Sequence, residues 1–481
     1  MFLNKHKYSN VMQNSLSLNS IEEYKTSILT HLHESLSLKL DAPLHMQKIK
    51  EKESELNAYE HLKELQPIDE DHVFHLGEDQ DISLATNAIL NGKVFWEHTA
   101  AGEATRLGLG TKYLLNLKEY SLETIAKHIY EEQLKEAKTE ERKEAINRES
   151  ILENIKETIG DHSSLLDLSL GERHMYQLAF DITNLAKKEN HDPSEVLSKQ
   201  CMLLVVNEKT QEDIINNFIK HSFFGFNPKH VYFMVQQSFN GMHIEENKLT
   251  FDETSDQNKR LHNHGQLVMQ KTHDKSLFRM NNGKEFILAT EYESLLTEHD
   301  DLISFNIEDL GYLNHSLDMQ SISLALELKE KGYNMVMEIV AQNPIRPQKG
   351  GACFFDPIRN KNVMIESFQL GNVRNEDITH LNKNVNHYTD PVVSFKAVKE
   401  KALPVSFTVK QITLENQQTK DYIFPCPVQG DVNFLVNTAF VMRSVLKSIN
   451  NWKSPATTPA TIVAMKQQDA QEGFKEFISR D

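Results

Sequence analysis

The chain has 481 residues and carries 52 Lys and Arg against 69 Asp and Glu, for a formal charge of −17. That length suits roughly two to four domains with ample chain for a large core. A charged fraction of 25% alongside 24 Phe and 13 Tyr excludes wholesale disorder. No uncharged apolar run of about 18 residues occurs, and the opening MFLNKHKYSN lacks an apolar stretch of signal-peptide length. No membrane association is therefore expected, and the expected compartment is the cytoplasm. The three cysteines, Cys201, Cys353 and Cys426, are widely separated with no Cys-x-x-Cys pair, which argues against a disulfide framework or a cysteine-based zinc site. The acidic balance repels a phosphate backbone at long range, so no nucleic-acid partner is expected, while a local basic pocket can still hold one nucleotide.

From Ser20 to about Gln66, Ile21, Tyr24, Ile28, Leu29 and Leu32 recur at steps of three and four, which predicts one or two N-terminal helices. The stretch from Glu119 to about Ile159 is also helical in pattern and crowded with charge, and reads as an inserted helical hairpin. Such a face is usually solvated, though its length leaves room for a protein partner. Short apolar runs bounded by turn residues predict strands at Lys93 to Phe95, Cys201 to Val206, His230 to Val235, Leu302 to Phe305, Val336 to Val340, Ala352 to Phe355 and Val363 to Phe368. Helical stretches such as Gln211 to Lys220 and Asp318 to Lys331 alternate with them. Strand-helix alternation implies an α/β fold with a mostly parallel central sheet covered on both faces. The segment from Asn433 to Ile449 reads as helical. The domain organisation expected is an N-terminal helical region (1–90), a central catalytic region (91–400, with the insertion at about 119–160), and a C-terminal region (401–481) ending in a short helical tail.

After the first predicted strand comes His98-Thr-Ala-Ala-Gly-Glu-Ala-Thr-Arg-Leu-Gly-Leu-Gly-Thr-Lys112. A loop of small residues lets backbone N–H groups approach an anion closely, and Arg106 and Lys112 add positive charge toward phosphate oxygens. The order is neither that of a Walker A loop nor Gly-x-Gly-x-x-Gly. Phosphate binding and an ordinary strand-to-helix turn stand side by side on this segment alone.

Taken together, the motifs resemble the UTP:sugar-1-phosphate uridylyltransferases, the family of UDP-glucose and UDP-N-acetylglucosamine pyrophosphorylases. The loop after His98 is similar to the family's Gly-Gly-x-Gly-Thr-x-x-Gly…Lys nucleotide loop. Asn306-Ile-Glu-Asp-Leu-Gly311 resembles its Asn-Ile-Asp-Asn-Leu-Gly, and Met337-Glu-Ile-Val-Ala-Gln-Asn followed by Lys349-Gly-Gly351 its Met-Glu-Val-Thr-x-Lys-Thr…Lys-Gly-Gly. Val363-Met-Ile-Glu366 stands where the family has Leu-Leu-Glu, Asn263-His264-Gly265 where it has Gly-His-Gly, and Phe233-Met-Val-Gln-Gln-Ser238 where it has Phe-x-Gln-Ser. The apolar run ending at Asn207 is similar to its Leu-x-Met-Asn. All fall in the family's order between about residues 90 and 440.

The resemblance implies a glycosyltransferase-A-like nucleotidyltransferase fold and the reaction of UTP with a sugar 1-phosphate, with Mg2+ as cofactor. Such a reaction needs charge neutralisation and in-line positioning more than acid/base chemistry. Carried over by position, Arg106, Lys112 and Lys349 would be the catalytic cations. Ala101, Gly102, Thr105, Gly108, Gln237, His264 and Gly265 would bind the nucleotide. Asn306, Asp309, Gly350, Gly351 and Glu366 would bind the sugar, and Glu308 would hold the metal.

The sequence departs from that pattern at several points. Ala101 and Ala104 put a Cβ where the family has glycine. Glu308 and Asp309 replace Asp and Asn. The lysine of the Glu-Val-Thr-x-Lys motif aligns with Gln342, and Phe424-Pro-Cys-Pro-Val-Gln429 resembles Phe-Leu-Pro-Val-Lys with Gln429 in place of lysine. Two cations aimed at phosphate are therefore absent, which opens a second reading: a family member that binds a nucleotide or nucleotide sugar and acts through a protein partner. Only residues 430–481 follow, too few for the C-terminal β-helix of UDP-glucose pyrophosphorylases. His262-Asn-His264 reads as a loop with solvated histidines, and Cys353, between Ala352 and Phe354, as core strand.

Overall fold

The computed structural model describes residues 18–77, 79–102, 111–137, 139–307, 313–342, 350–371, 373, 377–415, 417–443 and 455–479. The chain adopts the expected α/β class, and it divides into two compact units. One comprises Met1–Leu84, Tyr232–Ser304 and Gln320–Lys447; the other comprises Ala85–Val231, Phe305–Met319 and Ser448–Asp481.

In the first unit, strands Met335–Ala341, Thr438–Met442 and Val73–His75 pair in parallel, in that order. Strand His380–Tyr388 runs antiparallel between Met335–Ala341 and Asp301–Asn306. The hairpin of Ala352–Asp356 with Lys361–Ile365 joins the same strand through the Ala352 and Leu381 pair. A smaller sheet of Val405–Thr413, Thr419–Pro427, Met242–Glu245 and Lys248–Phe251 is covered by the N-terminal helix Leu18–Leu40. Tyr24, Ile28, Leu32 and Leu36, one turn apart, are all buried on that helix, and Leu32 and Leu36 meet Met242, Phe407 and Ile423 in one core.

In the second unit, Val94–Thr99 pairs in parallel with Cys201–Asn207. Helices Leu122–Glu136, Arg148–Ile159, Leu170–Lys188, Gln211–Lys220 and Thr458–Asp469 belong to it. Helix Leu170–Lys188 opens on a capping box in which Ser169 and Glu172 satisfy each other's main-chain N–H groups. It is fastened to Thr458–Asp469 by Arg173, whose guanidinium donates to both Asp469 oxygens at 2.6 and 3.2 Å with both side chains buried.

Helix Gln211–Lys220 and the strands at 201, 231, 302, 336 and 352 lie where the sequence places them. Cys353 is core strand. One expectation is corrected: within Asn433 to Ile449, residues Thr438–Met442 form a buried strand, because parallel partners on both sides turn a short apolar run into sheet. Another is the strand expected at Val363 to Phe368, which ends at Ile365 and gives way to a turn at Ser367–Gln369.

The first unit is held together by a charged network with no access to water. Arg443 donates from Nε and Nη2 to the two Glu338 oxygens at 2.6 and 2.8 Å. Ser321 donates its hydroxyl to Glu338 and lies 3.0 Å from His387 Nε2, while His387 Nδ1 donates to Asp301 at 2.7 Å. Burial pulls the His387 imidazole down, but Asp301 and then Glu338 overcome it and raise its pKa to about 10. Burial likewise opposes the Glu338 charge, and Arg443 followed by His387 hold its carboxyl well below the usual range.

Glu338→Gln leaves Arg443 buried without its counter-charge and is expected to cost about 3–5 kcal/mol in urea denaturation. Because the folded His387 pKa lies above its unfolded value of about 6.5, the folded state binds the extra proton. Its contribution is complete below about pH 6.5 and is lost as pH rises toward 10. Thermal melts over that range are expected to fall with pH in the wild type and to flatten in His387→Gln.

Candidate functional site

Two groups of motif residues converge, one in each unit. In the first unit, the loop Asn263–Gly265 leads into helix Gly265–Gln270 and meets the segment that ends strand Thr419–Pro427. His264 is exposed, and its Nδ1 accepts the backbone N–H of Gln429 at 3.1 Å. Gly265 is required there by space: a Cβ would overlap the main chain of Pro427 and Val428. Residues 165 positions apart in sequence thus share one site.

The loop is fixed from beneath by a ladder of buried glutamines. Gln236 donates to the His262 carbonyl (2.7 Å) and to Gln266 Oε1 (3.1 Å). Gln266 donates to the Gln237 carbonyl (3.0 Å) and to Gln270 (3.2 Å), and Gln270 to the Val235 carbonyl (2.9 Å). Gln237, predicted to face the nucleotide, is half-buried at the top of this ladder. His262 corrects the expectation of a solvated histidine: it is 2% exposed, shares a 2.7 Å hydrogen bond with the Tyr24 hydroxyl, and burial lowers its pKa to about 3.

Gln429, expected to replace a lysine, is buried. Its side-chain N–H2 donates to Ser304 Oγ at 2.8 Å and to the Tyr388 hydroxyl at 3.2 Å, so both amide hydrogens point inward to neutral oxygens. The turn that follows is pinned to strand Lys361–Ile365 through Asn433, which accepts the Met364 N–H (3.3 Å) and donates to the Met364 carbonyl (3.2 Å). Gly351 packs against the same strand, where a Cβ would lie 2.5 Å from Met364 Sδ and 3.2 Å from Glu366 Oε1. Glu366 is half-buried, and its N–H is capped by Gln369 Oε1 at 2.9 Å. Beside it Asp431 is fully buried, and burial first and Glu366 second push its carboxyl well above the ordinary range. Gln342 donates its main-chain N–H to the Thr379 carbonyl at 2.7 Å, and Gly350 is half-buried.

In the second unit the small-residue loop begins where expected. Ala100 N–H donates to the Val205 carbonyl (2.8 Å) and the Asn207 side chain donates to the Ala101 carbonyl (2.7 Å), so Ala101 and Gly102 leave the sheet against the end of strand Cys201–Asn207. Thr99 bonds the Phe305 and Ile307 main chain at 3.1 and 3.3 Å, which brings exposed Asn306 to the same edge. Lys112 is buried in the turn Lys112–Leu114. Arg106, Thr105, Gly108, Asp309 and Lys349 lie outside the described residues, as does Glu308, the residue expected to hold Mg2+. Among the described residues no three His, Cys, Asp or Glu side chains gather into a metal site.

Sequence reasoning overlooked Gln236, Gln266, Gln270, Ser304, Tyr388 and Asp431. Isolated glutamines and hydroxyl residues carry no periodic signal; only the pairing of distant segments makes them part of a site.

No family model matches the chain, and no curated protein sequence matches it. Solved structures do. The UDP-N-acetylglucosamine pyrophosphorylase of Trypanosoma brucei, solved with an inhibitor, is similar at a TM-score of 0.60 and 12% identity over 96% of this chain and 81% of that one. The chain has the fold of the UDP-sugar pyrophosphorylases. A mutant UDP-glucose pyrophosphorylase of Leishmania major is similar at a TM-score of 0.56 and 12% identity, covering 93% of this chain and 79% of its own. The protein described as UDP-glucose phosphorylase from Trypanosoma brucei follows at 0.52 and 14%, covering 94% and 78%. Among the described residues no helix is long and apolar enough to cross a membrane.

Gly265→Ala is expected to destabilise the protein by about 1–3 kcal/mol, the usual range for a Cβ forced into a packed contact. Its urea midpoint should fall, and loss of the His264 to Gln429 hydrogen bond should appear as a changed His264 signal in imidazole NMR.

Proposed function

We propose that this chain is a divergent UTP:sugar-1-phosphate uridylyltransferase, forming a UDP-sugar and pyrophosphate. The observation that carries this reading is the meeting of His264 and Gly265 with Gln429, motif positions that the resemblance assigns to one nucleotide site. The shared fold supports it. In this reading a sugar 1-phosphate oxygen attacks the α-phosphorus of UTP and pyrophosphate departs. The chain binds the base near Gln237 and His264, aligns the two phosphates beside the loop that starts at Ala101, and shapes the sugar pocket with Gly351 and Glu366. Arg106, Lys112 and Lys349 would supply positive charge, and Glu308 would hold a Mg2+ that neutralises the phosphates.

A second reading has its own observation. Where a cation would face phosphate, the Gln429 amide is neutral and turned to Ser304 and Tyr388. Losing one such electrostatic contact typically costs about 10²–10³ in rate. A protein of this kind binds the nucleotide or nucleotide sugar, turns it over slowly or not at all, and reports it to a protein partner, for which the helices at 122–159 offer a surface.

The two readings separate in one assay: pyrophosphate release with UTP, Mg2+ and a panel of sugar 1-phosphates, beside calorimetry with UTP and UDP-glucose. Release with one sugar is the expected outcome for the first, and binding without release for the second. Gln429→Lys is expected to raise turnover by about 10² or more if only that charge is missing. No gain would mean that the Ser304 and Tyr388 side of the site has been rebuilt for another ligand.

A further inference from the structure

Gln237 and His264, the two residues expected to face the base, sit on loops that the sheet alone hardly fixes. Gln237 precedes strand Ser238–Phe239 and His264 follows strand Arg260–Leu261, and these strands pair over only two rungs, Ser238 with Leu261 and Phe239 with Arg260. A ladder that short is marginal by itself, so the spacing of Gln237 and His264 depends on what else grips the two loops. Gln236 and Gln266 grip them by main-chain carbonyls. One side chain of the second loop is gripped as well, from a distant element.

That side chain is His262. Its ring is 2% exposed, stacks on Phe239 at 4.8 Å and shares a 2.7 Å hydrogen bond through Nδ1 with the Tyr24 hydroxyl, while its Nε2 has no hydrogen-bond partner in the protein. Among the described residues Tyr24 is thus the ring's one hydrogen-bond partner. Tyr24 is itself buried, packs on Phe239 at 4.9 Å and stands on helix Leu18–Leu40. That helix is anchored elsewhere: Leu32 and Leu36 lie in the Met242, Phe407 and Ile423 core, and Lys25 pairs with Glu253 at 2.6 Å. The hydroxyl is therefore presented to the loop by an element with its own hold on the fold.

We propose that Tyr24 is a positioning residue for the nucleotide loop, acting through His262 to set the separation of Gln237 and His264. Without its hydroxyl the buried imidazole has no partner, and the nearest relief is for residues 262–265 to open and let water reach the ring. Opening draws His264 away from the Gln429 N–H. The coupling runs both ways: a ligand that holds Gln237 and His264 in place also favours the docked Tyr24, so the N-terminal helix and the nucleotide share one equilibrium. The nucleotide part of this inference rests on the uridylyltransferase reading; the link from Tyr24 to the loop stands without it.

The test compares full-length wild type, Tyr24→Phe and Leu36→Ala, the last a change on the same helix within the Met242, Phe407 and Ile423 core. In ligand-free Tyr24→Phe, backbone hydrogen exchange across residues 259–268 is expected to quicken by about tenfold or more, the scale set by one unpaired buried polar group, and the imidazole NMR signal of His264 to change. Leu36→Ala should lower the urea midpoint at least as far and leave both loop readouts as in the wild type. Calorimetry with UTP and UDP-glucose is expected to show a matching loss of affinity in Tyr24→Phe alone, and bound UDP-glucose should slow exchange in the first turns of helix Leu18–Leu40 in the wild type but not in Tyr24→Phe. Unchanged loop exchange in folded Tyr24→Phe overturns the proposal, and so does an equal quickening in Leu36→Ala, which would make Tyr24 one core contact among many. A wild type that binds neither nucleotide overturns the uridylyltransferase reading instead, and the ligand-free loop readouts then decide the positioning role.

Discussion

The Glu338–Arg443 pair sets the geometry on which the first unit depends. A buried guanidinium and carboxylate are tolerable when hydrogen bonds answer their charge, and here Ser321 donates to Glu338 while His387 bridges Ser321 and Asp301. The network runs through strands Asp301–Asn306, Met335–Ala341 and His380–Tyr388, fixing their stagger. Because a one-residue slip would strand a buried charge, register is specified far more sharply than apolar packing alone would require. Tyr388 and Ser304, which hold the Gln429 amide, lie on these same strands. The ends of sheet strands are where α/β proteins build their sites, and rigid strands make the ends precise.

Neutral amides carry the hydrogen bonding around the His264 loop and Gln429. Gln429 faces two hydroxyls, and Gln236, Gln266 and Gln270 satisfy one another and the backbone of the Gln237 and His262 loops. An amide both donates and accepts, so a chain of them can close on itself without counter-ions. A lysine at position 429 would need an anion in front of it to justify its burial; Gln429 needs none. The arrangement is therefore stable without ligand, and the motif loop at His264 is held ready by hydrogen bonds that do not involve phosphate. The loop is thus preorganised by the chain itself, whichever of the two proposed readings holds.

Much of the fold was legible in the sequence because it follows from apolar runs. Cys201 to Val206 and Val336 to Val340 are bounded by turns and too short for buried helices, and Gln211 to Lys220 has helical spacing with Ile214, Ile215 and Phe218 inward. Strand Val94–Thr99 was read short because Glu97 and His98 are polar yet fully inside the sheet. Thr438–Met442 escaped because a short apolar run takes its class from its partners rather than from its period. At the site, Gly265 and Gly351 could be found as motif positions, but the reason each must be glycine lies in Pro427, Val428 and Met364, which are distant in sequence. His262 was misread for the same cause: the Tyr24 hydroxyl that buries it comes from the N-terminal helix.

Buried polar groups serve the fold where the chain itself completes them. Glu338 with Arg443, and the glutamines of the Gln236 ladder, are answered by the chain itself, and they buttress shape.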